Sequence, residues 1–408
     1  MVGGTRQDVR RGATAYRDVL RLPGVAALTA VGFLARIPAT AASITLTLHV
    51  VLTLEHGYAA AGLVGAAATV GMAIGAPLLG RFVDRRGLRP MLVLTAVAEV
   101  VFWGAAPGLS YPALLVGALV SGLLGLPVYS VIRQSLAAMV PPSGRRPAFA
   151  LDSMSVEVTY IAGPALGALV ALQVSTSVAM WTVGAGWLVS GVALMVLNPP
   201  TRTPETASDA PRPPVREWFD LRLLGALTAT TAAVFVLFGT ELVMIAGLQT
   251  SGQTGWLPVV NAVWCLASLA GGFAYGAARR SFPLAALVAG LALATLPVAL
   301  AGPWWSFALL LVVPGMLCAP SLAATSEAVS GLAPEHARGL VTGLHASANT
   351  LGGTIATPLT GLLIDVGSPA VAVVTVAAVS LALAACAGLA TRLGTRRVLV
   401  PSARSQPI

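Results

Sequence analysis

Residues 80–90 read GRFVDRRGLRP, which places four arginines and an aspartate in eleven residues of a chain with only 10% charged residues. Apolar runs of about 20 residues, the length that crosses a bilayer core of about 30 Å as helix, lie on both sides of it. That contrast decides the fold. Of 408 residues 56% are hydrophobic, whereas a soluble domain carries roughly 25% charge. Apolar stretches of spanning length recur near 23–51, 58–80, 88–108, 112–140, 147–172, 177–197, 222–248, 255–278, 282–301, 303–331, 337–364 and 369–391. None shows the alternation of period two that a membrane barrel needs. The sequence predicts an all-α membrane protein of twelve transmembrane helices.

The net charge of +9 is carried without lysine, since all 24 basic residues are arginine. With the amino terminus in the cytoplasm, alternate connections hold 22 of them: five before residue 23, four in 81–90, Arg145 and Arg146, four from the linker at 198–221 into the next helix, Arg279 and Arg280, Arg338, and four after residue 391. The opposite connections hold none, and Arg36 and Arg133 lie inside spans. This positive-inside bias predicts that both termini are cytoplasmic in a multi-pass protein of the cell membrane. It also accounts for the basic charge without a nucleic-acid partner. Eleven further spans follow the first, so no signal-peptide cleavage is expected. Cys265, Cys318 and Cys386 fall within spans, and neither a disulfide nor a metal site is indicated. Without lysine there is no Gly-x-x-x-x-Gly-Lys phosphate loop, so no nucleotide cofactor is expected and ATP is not the direct energy source.

Residues 198–221 hold six prolines and little apolar periodicity, the mark of a hydrated linker. The expected organisation is a tail at 1–22, a six-helix bundle at 23–197, the linker at 198–221, a second six-helix bundle at 222–391 and a tail at 392–408. The bundles read as repeats. Pro127, Pro141 and Arg145 return as Pro320, Pro334 and Arg338 at a shift of 193, GPALGALV at 163–170 is echoed by TPLTGLLI at 357–364, and Gly80 by Gly272. Parallel repeats of six helices are a transporter layout with its site at mid-depth between the halves.

The opening stretch resembles the loop signature of the major facilitator superfamily, Gly-x-x-x-Asp-Arg-x-Gly-Arg followed by a basic residue, located after the second helix. Gly80, Asp84, Arg85, Gly87 and Arg89 match it, while Leu88 interrupts it and Pro90 replaces its final basic residue. Gly80 would bring two helices close and Gly87 would permit a sharp turn. Asp84 would pair with arginine or accept hydrogen bonds at a helix amino terminus. The resemblance implies a latch that stabilises one side of an alternating-access cycle. GGFAYGAARR in the second half keeps glycines and arginines but lacks the acid. YIAGPALGAL in the fifth span resembles a Gly-Pro-x-x-Gly-Gly signature of the antiporter branch through Gly163, Pro164 and Gly167, with Ala168 in place of the last glycine. Small residues there are expected to let the two halves pack and rock, with Pro164 bending the helix. A plain packing seam of small residues is the other reading.

An ionisable residue inside the bilayer costs about 2.5–3.5 kcal/mol on insertion scales, so each one asks for a reason. Arg36 lies roughly 18–20 Å from the inner end of the first span at about 1.5 Å per residue. Thr40, Ser43 and Thr47 continue its face. This stripe reads as cavity lining, consistent with the resemblance, in which the first, fourth, seventh and tenth helices line the cavity. The other reading is a buried ion pair, with the hydroxyls bonded back to their own helix. Glu157 and Asp152 are candidates for carrying the coupling proton, with a static pair to Arg36 or Arg133 as the alternative for Glu157. Glu241, Arg133 and Asn349 join the candidate cavity, and His345 stands one turn before Asn349. Glu99 is expected to pair with Arg133, and Glu327 to meet Arg338 or other inner-loop charge. Trp103, Trp181, Trp256, Trp304 and Trp305 read as an interfacial belt. Trp264 is the one tryptophan deep enough to face a ligand.

Together these features imply a monomeric, lipid-embedded secondary active transporter that works by alternating access, a proton-coupled exporter of a small organic molecule. Import or uniport is the nearest alternative. A polytopic membrane enzyme is remoter, because Glu55, Asp365 and His56 are the only acids and histidine on the outer connections.

Overall fold

The computed structural model describes residues 14–201, 218–278 and 282–399. Most of the amino-terminal tail and of the linker, Arg279, Arg280 and the chain beyond residue 399 lie outside the described residues, so the expectations placed on them are not addressed by it. Among the described residues every regular element is helical. After a short helix at 14–21, the first half comprises α1 (Val25–Leu52), α2 (Tyr58–Arg86), α3 (Leu88–Ala105), α4 (Tyr111–Leu124), α5 (Val128–Met139), α6 (Arg145–Gln173) and α7 (Thr176–Leu197). The second half comprises α8 (Leu221–Thr250), α9 (Leu257–Ala277), α10 (Leu284–Thr295), α11 (Trp304–Leu310), α12 (Val312–Leu332), α13 (Arg338–Val366) and α14 (Pro369–Leu399).

Among the described residues ten helical stretches are long and apolar enough to cross a membrane. Leu284–Leu300 is apolar but shorter, and α13, although 29 residues long, is too rich in glycine, threonine and polar residues to reach the same hydropathy. In lipid the backbone must satisfy its own N–H and C=O groups, which is why these runs are helical throughout.

Two expected spans are interrupted, 303–331 at Leu311 between α11 and α12, and 112–140. The fourth stretch breaks between α4 and α5 at Gly125–Pro127, because Pro127 has no N–H to continue the ladder. Its repeat partner Pro320 sits inside continuous α12, so the duplicated prolines no longer do the same job. Pro164 likewise sits within an unbroken α6.

In the first half α1 packs on α6 and α7, and α2 on α4, while α8 packs on α13 and α14 in the second. The halves meet where α2 runs along α13 and where α6 lies against α9 and α12. These contacts run from Asp84 against Gly339 to Ala73 against Ser347, and from Ala150 against Gly276 to Glu157 against Ser268. They begin at the end that carries Arg81, Arg85, Arg86, Arg145, Arg146 and Arg338, called here the arginine-bearing end.

Candidate functional site

The signature stretch is mostly helix. Its residues up to Arg86 form the last turns of α2, and Gly87 alone makes the turn, at φ +87°, a left-handed value that favours glycine. Gly80 faces Gly339 of α13 so closely that a Cβ on either would overlap the other's carbonyl oxygen. That approach carries Asp84, only 5% exposed, to the amino terminus of α13. Its Oδ1 accepts from the Gly339 N–H at 2.9 Å and its Oδ2 from the Leu340 N–H at 2.8 Å. These are two of the N–H groups a helix start leaves unsatisfied, and the positive end of the helix favours the carboxylate. Of the two roles open to Asp84 in the sequence, the structure shows the helix amino terminus. Arg85 and Arg89 are exposed.

The same end is fastened a second time by a residue the sequence did not single out. Tyr16, in the short helix at 14–21, places its hydroxyl 3.0 Å from the carbonyls of both Gly272 and Phe273 in α9, and its ring stacks on Phe273 at 5.2 Å. Nothing in the tail's composition marks it.

Deeper in the first half, Arg36 is 1% exposed and pairs with Asp152. Its second terminal nitrogen donates to Ser155 Oγ at 2.8 Å, and the Tyr129 ring lies 5.1 Å from its guanidinium carbon. Arg133 of α5 donates from Nε to the other Asp152 oxygen at 3.2 Å. Three elements therefore supply a buried cluster of two guanidiniums and one carboxylate.

Glu99 was expected against Arg133 and is not there. It accepts instead from Trp103 Nε1 at 2.8 Å and Ser121 Oγ at 3.3 Å, because Arg133 is drawn to Asp152. Trp103 in turn is 2% exposed, an internal donor rather than a member of an interfacial belt, whereas Trp181, Trp256 and Trp305 are well exposed.

The hydroxyl stripe after Arg36 divides. Thr40 is buried, with its hydroxyl within 3.0 Å of the Arg36 carbonyl and 2.9 Å of the Thr159 carbonyl in α6, so it stitches two helices. Ser43 is exposed, and Thr47 donates back to its carbonyl at 2.9 Å. Gly163 packs against Thr40, where a Cβ would overlap the hydroxyl, and Gly167 packs against Ala41, Ile44 and Thr45. These small residues therefore seat α6 on α1 of the same half and not, as expected, on the opposite half.

Glu157, five residues after Asp152, points across the interface. Its Oε1 accepts from Ser268 Oγ of α9 and from the Cys318 thiol of α12, each at 3.1 Å. Sequence reasoning missed both partners, since a serine and a cysteine at unrelated positions carry no spacing signal. Glu241 of α8 is exposed and is an electrostatic neighbour of both Glu157 and Tyr160. Tyr160 is itself exposed, keeping 54% of its surface.

Asn349 donates to the His345 carbonyl at 2.9 Å within its own helix, and His345 is buried against Thr325 at 3.3 Å. Glu327 meets inner-loop charge as expected, through Arg146 at 3.6 Å, with the Tyr275 hydroxyl 3.2 Å away. Trp264 packs against the apolar core of the second half.

The sequence matches the Major Facilitator Superfamily over residues 28–279. The chain belongs to the major facilitator superfamily. It is accordingly a multi-pass membrane transporter rather than an enzyme. No functionally curated protein matches it. Among solved structures, the fold is similar to a bacterial homologue of the iron transporter ferroportin in an outward-facing state, at TM-score 0.74 and 14% identity over 92% of this chain and 100% of that one. It is also similar to the human organic anion transporter MFSD10 (TETRAN), at TM-score 0.68 and 17% identity over 93% and 99% of the two chains. A third likeness is to the Escherichia coli fucose:proton symporter FucP, at TM-score 0.63 and 16% identity over 94% and 98%. At these identities the likeness concerns the fold.

Proposed function

We propose that this superfamily transporter is a proton-coupled exporter of a small organic molecule in the cell membrane, acting as a monomer of two six-helix bundles. The observation that carries the reading is the bridge from Glu157 in one half to Ser268 and Cys318 in the other. An ionised carboxylate accepts hydrogen bonds about twice as strongly as a neutral group, so protonation weakens the bridge. A proton taken up from the open side then loosens the seal at the arginine-bearing end and lets the carrier turn over. The arginine distribution supports a cytoplasmic location for the termini and for that end. The described form is then open outward, and the Asp84 contact with α13 is its cytoplasmic latch.

The site in this reading comprises Arg36, Arg133, Asp152, Glu157 and Glu241, with Thr40, Ser43, Thr47 and Asn349 on the surrounding faces. The test is Glu157→Gln in proteoliposomes. The variant should still exchange substrate across the membrane while losing the acceleration given by an imposed pH gradient. Full gradient-driven accumulation in the variant would end Glu157's candidacy as the proton carrier.

A further inference from the structure

Resting on that transport reading, we propose that the substrate is an organic anion whose acidic group is held by the outer edge of the Arg133 guanidinium. The inference begins with charge. Arg36 from α1 and Arg133 from α5 converge on the single carboxylate of Asp152 from α6. Arginine does not deprotonate in proteins, so the cluster carries one positive charge in excess. Such a charge at mid-membrane depth requires a partner or water.

The nearest other carboxylates do not serve as that partner. Glu157 is bonded to Ser268 and Cys318 on the far side of α6, since five residues turn a helix by about 140°. Glu241 is on α8, a neighbour of Glu157 and Tyr160, and Glu99 is held by Trp103 and Ser121. His345 of α13 is an electrostatic neighbour of Arg133 and brings no negative charge.

The fold does not require the excess charge. At the repeat shift of 193, Arg133 corresponds to Ser326 and Asp152 to His345, so the second half builds the same framework without it.

The two arginines are held differently. Arg36 is sealed at 1% exposure, with Asp152, Ser155 and Tyr129 fixing its plane. Arg133 gives Asp152 only its Nε. Its side chain remains 10% accessible against 2% for Asp152, and among the described residues the one hydrogen bond it donates is from Nε, leaving its two terminal amino groups without an acceptor. Those two groups are the planar fork that a carboxylate engages through two parallel hydrogen bonds. Tyr160, exposed and an electrostatic neighbour of Glu241, Glu157 and Arg133, offers an aromatic face for the body of the ligand. Glu157 is bonded to Ser268 and Cys318, so the anion and the coupling proton engage different side chains.

The test uses full-length protein in nanodiscs, with fluorescein as an aromatic anion and rhodamine 6G as an aromatic cation, read by fluorescence polarisation. Arg133→Gln removes the excess charge and leaves Arg36 and Asp152 as a one-to-one pair. Wild-type protein should bind fluorescein, with affinity at least tenfold lower in Arg133→Gln and intermediate in Arg133→Lys, which keeps the charge but not the fork. On wild-type protein alone, benzoate should displace fluorescein and benzamide should not. Three results would each overturn the proposal: fluorescein binding unchanged in Arg133→Gln, equal displacement by benzamide, or binding of rhodamine 6G without fluorescein. Fluorescein that binds through Arg133 but never crosses proteoliposomes would uphold the site and defeat the transport reading. Gradient-driven movement of rhodamine 6G without fluorescein binding would do the reverse.

Discussion

Replacing Asp84 with asparagine should open the arginine-bearing end of the molecule by a calculable amount. In the closed form the two carboxylate oxygens accept from Gly339 and Leu340 at 2.9 and 2.8 Å, and these bonds cross from one half to the other. They therefore exist only while the halves touch. Hydrogen bonds to a charged group are worth about 1.5–3 kcal/mol each, and neutral ones about 0.5–1.5 kcal/mol. Asparagine keeps one acceptor oxygen but turns an amide N–H toward the second backbone N–H, so one bond is lost and the other becomes neutral. The favourable interaction of the charge with the start of α13, typically about 0.3–1 kcal/mol, is lost as well. The sum, about 3–5 kcal/mol, shifts the closed-to-open ratio by roughly 100- to 4,000-fold at about 1.4 kcal/mol per tenfold. Spin labels at the exposed positions Arg89 and Gly331 flank this interface from opposite halves. Double electron–electron resonance on that pair should show a longer-distance population in Asp84→Asn that is minor in the parent protein, along with impaired transport at normal protein levels. An unchanged distance distribution with wild-type transport would refute the latch and leave the contact as packing.

Tyr16→Phe keeps the ring stack on Phe273 but loses the hydroxyl contacts with the Gly272 and Phe273 carbonyls. A loss of about 1 kcal/mol should move the same labels apart in a smaller fraction of molecules, and no change would show that the short helix is not a clamp. Asp220 caps α8, accepting from the N–H groups of Arg222 at 2.9 Å and Leu223 at 3.0 Å. Partial burial works against its ionisation, but the bonds from Leu223 and Arg222 outweigh it and hold the carboxyl below its ordinary value. A depressed pKa means that the cap stabilises above the ordinary aspartate value of about 4 and is lost as pH falls through the lower folded-state value. Asp220→Ala should thus cost about 1 kcal/mol of stability at neutral pH. The difference in Tm should shrink as pH falls below the ordinary aspartate value of about 4, and a constant difference would exclude the charged cap.

The helices, their approximate limits and the family were legible because partition into lipid depends on each residue's own hydropathy and on runs of spanning length, both readable along one dimension. Gly80, Asp84 and Gly87 were legible for a related reason, since a glycine needed for close approach or a left-handed turn, and an acid needed at a helix start, are local chemical requirements. Pairing is different. The pair with Arg36 or Arg133 was the alternative for Glu157 and is made by Asp152, and Glu99 was assigned to an arginine that in the fold lies with Asp152. Gly163 and Gly167 announced a close helix contact without naming the helix, which proved to be α1 of their own half. Ser268, Cys318 and Tyr16 had no signal at all, because each matters only through a neighbour more than 100 residues away in sequence. In a bundle where apolar faces are nearly interchangeable, sequence fixes which segments enter the membrane, and the packing of small residues and the pairing of buried charges in three dimensions fix which faces meet.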